Sequence, residues 1–289
     1  MIKTQADTLK EIMNAKGLNK GKTKFIVITS GKGGVGKSTI SANFANLLAK
    51  KGLKVGLFDA DLGLANLDII LNVRTPKNIL HVLKGECSLQ EIIVNISPNL
   101  FLIPGESGAE ILTFSSTQYF ARLLEDASYL DHLDYLIIDT GAGIGASNQV
   151  ILNAADVIIV VTVPDPAAIT DAYATIKVAS AKKKNFALLI NMIGNEKEAL
   201  SIHSKMQKVV QSNLEGVNLD FLGFLPNSQD ISSSIKQRLL FSDTNSSAKD
   251  MLSRIVTNTL GFLEHKVLLD PHEERRGLSG FFKKLINKI

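Results

Sequence analysis

Residues 30–39 read SGKGGVGKST, preceded by the apolar run 25–29 (FIVIT) and followed by a helical pattern over 38–50. Gly31, Gly36, Lys37 and Ser38 stand at the spacing of a phosphate-binding loop. Glycines let successive backbone N–H groups turn inward around an anion. The helix beginning near Lys37 adds the positive end of its dipole. In this arrangement Lys37 reaches the β- and γ-phosphates of a nucleotide and the Ser38 hydroxyl binds Mg²⁺. The candidate phosphate contacts are Gly31, Lys32, Gly33, Gly34, Val35, Gly36, Lys37, Ser38 and Thr39. A purely structural Gly-rich turn is the bland alternative, but the strand before, the helix after and every filled position argue against it.

Outward from the loop, short aliphatic and β-branched runs recur at 25–29, 54–58, 100–103, 135–139, 157–163, 187–191 and 221–225. Each is nearly continuous in hydrophobicity, as expected of parallel strands buried on both faces. Helical patterns such as 38–50 and 170–181 alternate with them. The expected fold class is therefore α/β, a doubly wound, mostly parallel sheet flanked by helices. One domain spans 24–266, with an N-terminal helix and linker at 1–23 and a spacer and terminal helix at 267–289. The serine runs 232–234 and 246–247 read as helix-start and loop residues.

Two acids end the second run in FDADLGLANLDIIL (58–71): Asp59 and Asp61 lie where ligands bind in open α/β sheets, at the carboxyl ends of strands. Capping of the next helix is the alternative reading of this pair. A further run, DYLIID, ends at Asp139 and is followed by the flexible TGAGIG. An apolar strand ending in an acid can hold a magnesium-bound water, and the glycines after it suit a segment that senses the γ-phosphate. On these residues alone, Ser38 and Asp139 are the candidate metal ligands. A guanine reader would carry Asn-Lys-x-Asp; the run FALLINMIGN has Asn191 but Gly194 where that acid belongs, which disfavours guanine.

Bulk properties exclude several classes. The chain has 289 residues and a net charge of +4, too small a surplus to imply nucleic acid, and no nucleic-acid partner is expected. Cys87 is the only cysteine, so one subunit can build neither a disulfide nor a cysteine metal cluster. The histidines are scattered without ligand spacing. The N-terminus has acidic residues and lacks an apolar core region, unlike a secretory signal, and no apolar run is long enough to span a bilayer. A cytosolic protein is the natural expectation.

The pattern KGGVGKS, with Lys32 as a second lysine, resembles the MinD/ParA group of deviant Walker A ATPases, and the resemblance runs over the whole central domain. It implies that ATP with Mg²⁺ is the ligand and that Lys32 reaches across a dimer interface to the partner's phosphates. The alternative is that Lys32 contacts only its own. FDADLGLANLDIIL resembles the family's switch I. That implies Asp61 orients the attacking water, Asp59 lies near the Mg²⁺ shell and Asn66 orders the switch. Lys32, Asp61 and Asp59 form the candidate catalytic set. The same resemblance places Asn191, Pro226 and Asn227 beside adenine. Thr140-Gly141-Ala142-Gly143 departs from the commoner Pro-Ala-Gly after the acid and resembles one branch of the family.

At the C-terminus, Leu278, Phe281, Phe282, Leu285, Ile286 and Ile289 fall on one helical face, with Lys283, Lys284 and Lys288 opposite. This pattern matches an interfacial helix on an anionic membrane; docking onto the protein's own core is the alternative. Partial burial of these side chains gains roughly 6–9 kcal/mol, and ordering the segment costs about as much. One copy binds weakly, whereas two held together gain from effective concentration. At the N-terminus, Gln5, Ala6 and Leu9 lie in QADTLK, an ordinary amphipathic segment by pattern alone. The string is similar to the Asp-Gln-Ala-x-x-Leu-Arg activator motif of the FlhG family, with Thr4 in place of Asp and Lys10 in place of Arg. That family regulates flagellar number with the SRP-type GTPase FlhF. The resemblance implies an ATP-bound homodimer, FlhF, the inner membrane surface near the poles and flagellar C-ring proteins as partners. A DNA-segregation ATPase and a division-site regulator are the competing functions. An iron–sulfur carrier lacks the cysteines and a tyrosine kinase the tyrosine-rich tail.

Overall fold

The computed structural model describes residues 23–61, 65–106, 130 and 132–269. The proposed partner motif (Gln5, Ala6, Leu9) and membrane face (Leu278, Phe281, Phe282, Leu285, Ile286, Ile289) lie outside these residues, as do positions 62–64.

The chain runs β1 (Lys24–Ser30), α1 (Lys37–Lys50), β2 (Val55–Ala60), α2 (Leu67–Ile70), α3 (Ile79–Leu83), α4 (Leu89–Ile92), β3 (Val94–Ser97) and β4 (Leu100–Ile103). It continues through β5 (Tyr135–Ala142), α5 (Ala146–Ala154), β6 (Val157–Thr162), α6 (Pro166–Ala179) and β7 (Asn185–Ile193). Then follow α7 (Glu196–Asn213), β8 (Asn218–Pro226), α8 (Gln229–Lys236) and α9 (Ser247–Leu269). The strands form one sheet in the order β3-β4-β2-β5-β1-β6-β7-β8, parallel except for the antiparallel β3–β4 pair at one edge. This is the doubly wound sheet expected from the sequence.

Alternation along β1 shows how the layers are held. Phe25 and Val27 face the side where α5, α6 and α7 pack, in a core with Ile151, Ile176 and Val210. Ile26 and Ile28 face the other side, against Phe44 and Leu48 of α1 and Leu252 and Val256 of α9. Both faces are covered, so the strand reads as continuously apolar. Four details differ from expectation. The edge strand β3 was not foreseen, because its residues are half-exposed and lack a buried run. Helix α6 starts at Pro166, ahead of the expected 170, because Asp165 caps it and proline suits the first turn. Ser232 and Ser234 lie inside α8; the cap is Ser228, whose hydroxyl accepts from the Ile231 amide at 3.3 Å. The final helix runs to Leu269, across the boundary expected after 266.

The winding reverses on either side of β1. Strands β5 and β2 continue the sheet to one side, β6 and β7 to the other, and this opens a crevice above the carboxyl end of β1. The glycine loop sits there.

Candidate functional site

The loop after β1 takes a shape only its glycines allow. Gly36 has φ +91°, and a Cβ there would lie 2.5 Å from the Asn191 amide nitrogen. A Cβ on Gly31 would lie 2.2 Å from the backbone carbonyl of Asp171 in α6, so Gly31 lets the loop press against that helix. Ser30 Oγ donates to the Lys32 carbonyl (2.7 Å) and Asn191 Nδ2 to the Val35 carbonyl (2.8 Å). The loop is thus tied down at both ends.

Above it lies a cavity of about 520 Å³. Gly33, Gly34, Gly36, Lys37, Ser38 and Thr39 of the loop line it, together with Asp61, Asn66, Asn191, Met192, Pro226 and Asn227. The expected phosphate and base contacts therefore share one cleft, with one group of exceptions. Val35 is buried and offers its carbonyl to Asn191; Gly31 is packed on α6. Lys32 points elsewhere: its Nζ pairs with Asp165 Oδ1 at 3.0 Å, and both side chains are about half exposed. Lys32 is not among the residues that line the cleft.

Beneath the loop, Asp139 is fully buried. Its Oδ1 accepts from Ser41 Oγ at 3.0 Å, while Oδ2 is buried with no hydrogen-bond partner among the described residues. Burial pushes the Asp139 carboxyl up to about 7; the charge of Asp59 adds to this, and Ser38, Lys37 and Ser41 pull against it. Lys37 is also buried, and desolvation lowers its pKa, opposed by the charges of Asp139 and Asp61. An unpartnered carboxylate oxygen below a lysine is poor packing by itself. It fits a place where a hard cation belongs.

Asp59 takes the helix-start role that was the alternative reading of the acid pair. Its Oδ2 accepts from the amides of Asn66 (2.9 Å) and Leu67 (3.0 Å), so it does clamp the start of α2. Its Oδ1 receives only a longer bond from the Asp61 amide, 3.3 Å. Burial raises the Asp59 carboxyl to about 6, against the pull of those amides. Oδ2 thus holds the start of α2, while Oδ1 has only the longer Asp61 contact. Asn66 lines the cleft and its Oδ1 is buried without a partner among the described residues.

Several residues of the site carried no signal in the sequence reading. Ser41 lies one turn after Lys37, bonded to its carbonyl (3.0 Å) as well as to Asp139; the i, i+4 spacing could have exposed it. Met192, at φ +56° and half-exposed, with Ile70, Ile231 and Ile235, supplies the apolar part of the cleft wall. Asp165 announces itself only as an Asp-Pro helix start.

Comparison with known proteins follows this geometry. Residues 21–260 match a family model named ParA and described as NUBPL iron-transfer P-loop NTPase. The chain is 47% identical to the flagellum site-determining protein YlxH of Helicobacter pylori, over 99% of this chain and 98% of that one. It is 35% identical to the antiactivator FleN of Pseudomonas aeruginosa, over 75% and 78% of the two chains. Among solved structures, a MinC:MinD cell division complex from Aquifex aeolicus superposes with TM-score 0.66 at 28% identity, covering 83% of this chain and 96% of that one. The Pyrococcus horikoshii septum site-determining protein MinD, complexed with Mg-ADP, gives TM-score 0.68 at 21% identity over 84% and 98% of the chains, a likeness of fold. The iron-transfer chemistry in the family description finds little support in these residues. Two subunits would bring only two Cys87 thiolates, where a cysteine-held cluster takes four.

Proposed function

The chain belongs to the ParA/MinD family of P-loop ATPases, in the branch of the flagellum site-determining and FleN relatives, and on that premise we propose that it regulates flagellar number and placement by cycling between a free subunit and an ATP dimer on the inner membrane. As a member it is an ATP hydrolase. The direction of Lys32 is the observation that carries the dimer. Its ammonium leaves its own cleft and stands half-exposed beside it, available to a second subunit's phosphates.

ATP lies along the cleft, with its phosphates over Gly33–Thr39 and its base between Asn191, Pro226 and Asn227. Lys37 contacts the β- and γ-phosphates. Mg²⁺, when bound, neutralises charge on the phosphoryl oxygens. Ser38 Oγ, Asp139 Oδ2 and Asp59 Oδ1 are the oxygens available to hold it, directly or through water. Asp61 stands on the cleft wall, where it orients the attacking water. Lys32 of one subunit stabilises charge on the other's phosphates, as an arginine finger does. Hydrolysis then acts as a timer.

The division into 1–23, 24–266 and 267–289 belongs to the same proposal. The segment 278–289 binds anionic lipid weakly as one copy and adequately as two. Residues 1–16, with Gln5, Ala6 and Leu9, engage the GTPase FlhF.

One experiment tests the whole. ATPase activity and oligomeric state are followed for wild type and Asp61→Ala, with and without anionic liposomes and FlhF. Wild type should dimerise and sediment with liposomes only with ATP. Asp61→Ala should bind ATP, hydrolyse it at least about a hundredfold more slowly and persist on the vesicles. A chain lacking 278–289 should dimerise without sedimenting. Wild type that stays monomeric and unbound at saturating Mg-ATP overturns the proposal.

A further inference from the structure

We propose that Asp165 is a positioning residue that holds Lys32 in cis within the free subunit, out of reach of its own phosphates, and releases it when a second subunit arrives. The inference rests on the reading of Lys32 given above and adds what the chain does with that lysine beforehand.

Two contacts fix the pair. Lys32 Nζ lies 3.0 Å from Asp165 Oδ1, and the same oxygen accepts from the Ala168 amide at 2.9 Å as the cap of α6. The cap sets where the carboxylate points, and Gly31, packed on Asp171 in the same helix, sets where the loop lies relative to it. Loop and helix are thus seated on each other, so the ammonium meets a preplaced acceptor. The Ala168 amide, and after it Lys32, hold the Asp165 carboxyl below its usual range, so it stays charged at neutral pH.

A half-exposed ion pair is weak, as a contact must be if assembly is to break it. A partner's triphosphate carries several negative charges and outcompetes one carboxylate. The contact nevertheless has two costs for assembly: the pair has to separate, and the carboxylate left beside Lys32 repels the incoming phosphates. Both costs keep the free subunit from associating before ATP is in place.

Asp165→Asn keeps a helix-capping side chain while removing the charge; Asp165→Ser does the same by another route and guards against a local defect in either. Self-association with a non-hydrolysable ATP analogue and Mg²⁺ is measured by analytical ultracentrifugation for both, beside wild type and Lys32→Ala. The expected result is a dimer two- to fivefold tighter for both Asp165 variants, with ADP affinity of the free subunit unchanged. The gap to wild type should narrow between about 50 mM and about 500 mM salt, as screening weakens the charge pair; a change in helix capping alone would not follow salt this way. Lys32→Ala should fail to dimerise. If it fails while both Asp165 variants associate no more tightly than wild type, the restraint is wrong and the dimer reading stands. If Lys32→Ala dimerises normally, both are wrong.

Discussion

Asp59 and Asp139 are direct cross-strand partners on β2 and β5, so two buried carboxyls share one short stretch of sheet beneath the phosphate loop. Burial is the largest cause of both raised pKa values, about 6 and about 7; the charge of Asp59 raises Asp139 further, and that of Asp61 raises Asp59. Lys37 offsets this only in part, and only at Asp139.

This pair makes the magnesium-free protein sensitive to pH, with a definite sign. Both groups titrate higher when folded than when unfolded, so between about pH 4 and about pH 7 the folded chain binds more protons. The stability they contribute is full at the acid end and lost as the pH rises through the folded values. Asp139→Asn removes the costlier charge. In EDTA its stability gain over wild type should grow from pH 5 to pH 8, reaching on the order of 1–3 kcal/mol. Thermal melts across that range read the difference; a gain that shrinks toward pH 8 contradicts it.

Gly31→Ala should damage the site through α6 rather than through the phosphates. The added methyl would lie 2.2 Å from the Asp171 carbonyl, a backbone atom that cannot swing aside. Overpacking of this kind costs about 1–3 kcal/mol, and the loop would lift from the helix. Melting temperature and nucleotide affinity should therefore fall together. A variant with wild-type stability and tenfold weaker nucleotide would show that the glycine serves only the ligand.

Asn191 orients itself by what it gives to the loop. One hydrogen of its Nδ2 goes to the Val35 carbonyl, which fixes the amide so that Oδ1 is its acceptor and the second N–H its remaining donor at the cleft wall. An acceptor suits the exocyclic amine of adenine and opposes the carbonyl of guanine. Asn191→Asp should lose the bond to Val35, set a carboxylate against a carbonyl, and weaken ATP about tenfold or more. GTP should not bind better than it does to wild type. Fluorescent-nucleotide titration of both bases checks this, and an Asp variant with undiminished ATP affinity would unseat Asn191 from the site.

Much of this was legible in the sequence because the loop is a local object. Strand, glycines, Lys37, Ser38 and helix lie in one continuous stretch, and the fold follows from similar buried runs. What could not be read involves pairs far apart. Lys32 and Asp165 are separated by 133 positions, and Gly31 meets Asp171 only because α6 returns beside β1. Spacing could not say which oxygen of Asp59 meets the next helix; the Asn66 and Leu67 amides show that it is Oδ2. The strand β3 escaped because an edge strand has no buried run to display.

Ser41 offers the sharpest test of the buried carboxylate. Its hydroxyl lies 3.0 Å from both the Lys37 carbonyl and Asp139 Oδ1, so its single hydrogen is shared between them. Ser41→Ala would remove the 3.0 Å bond to Asp139 Oδ1 in a site with no exposure to water. The missing bond should cost about 1–3 kcal/mol in the magnesium-free protein. It should also let the carboxylate turn, loosening its hold on a bound cation. Magnesium affinity in the presence of ATP should drop severalfold, whereas affinity for ATP measured in EDTA should change little, because Ser41 does not line the cleft. Titration calorimetry with and without Mg²⁺ separates the two. Equal losses in both conditions would mean that Ser41 supports the loop and that Asp139 is not the group it orients.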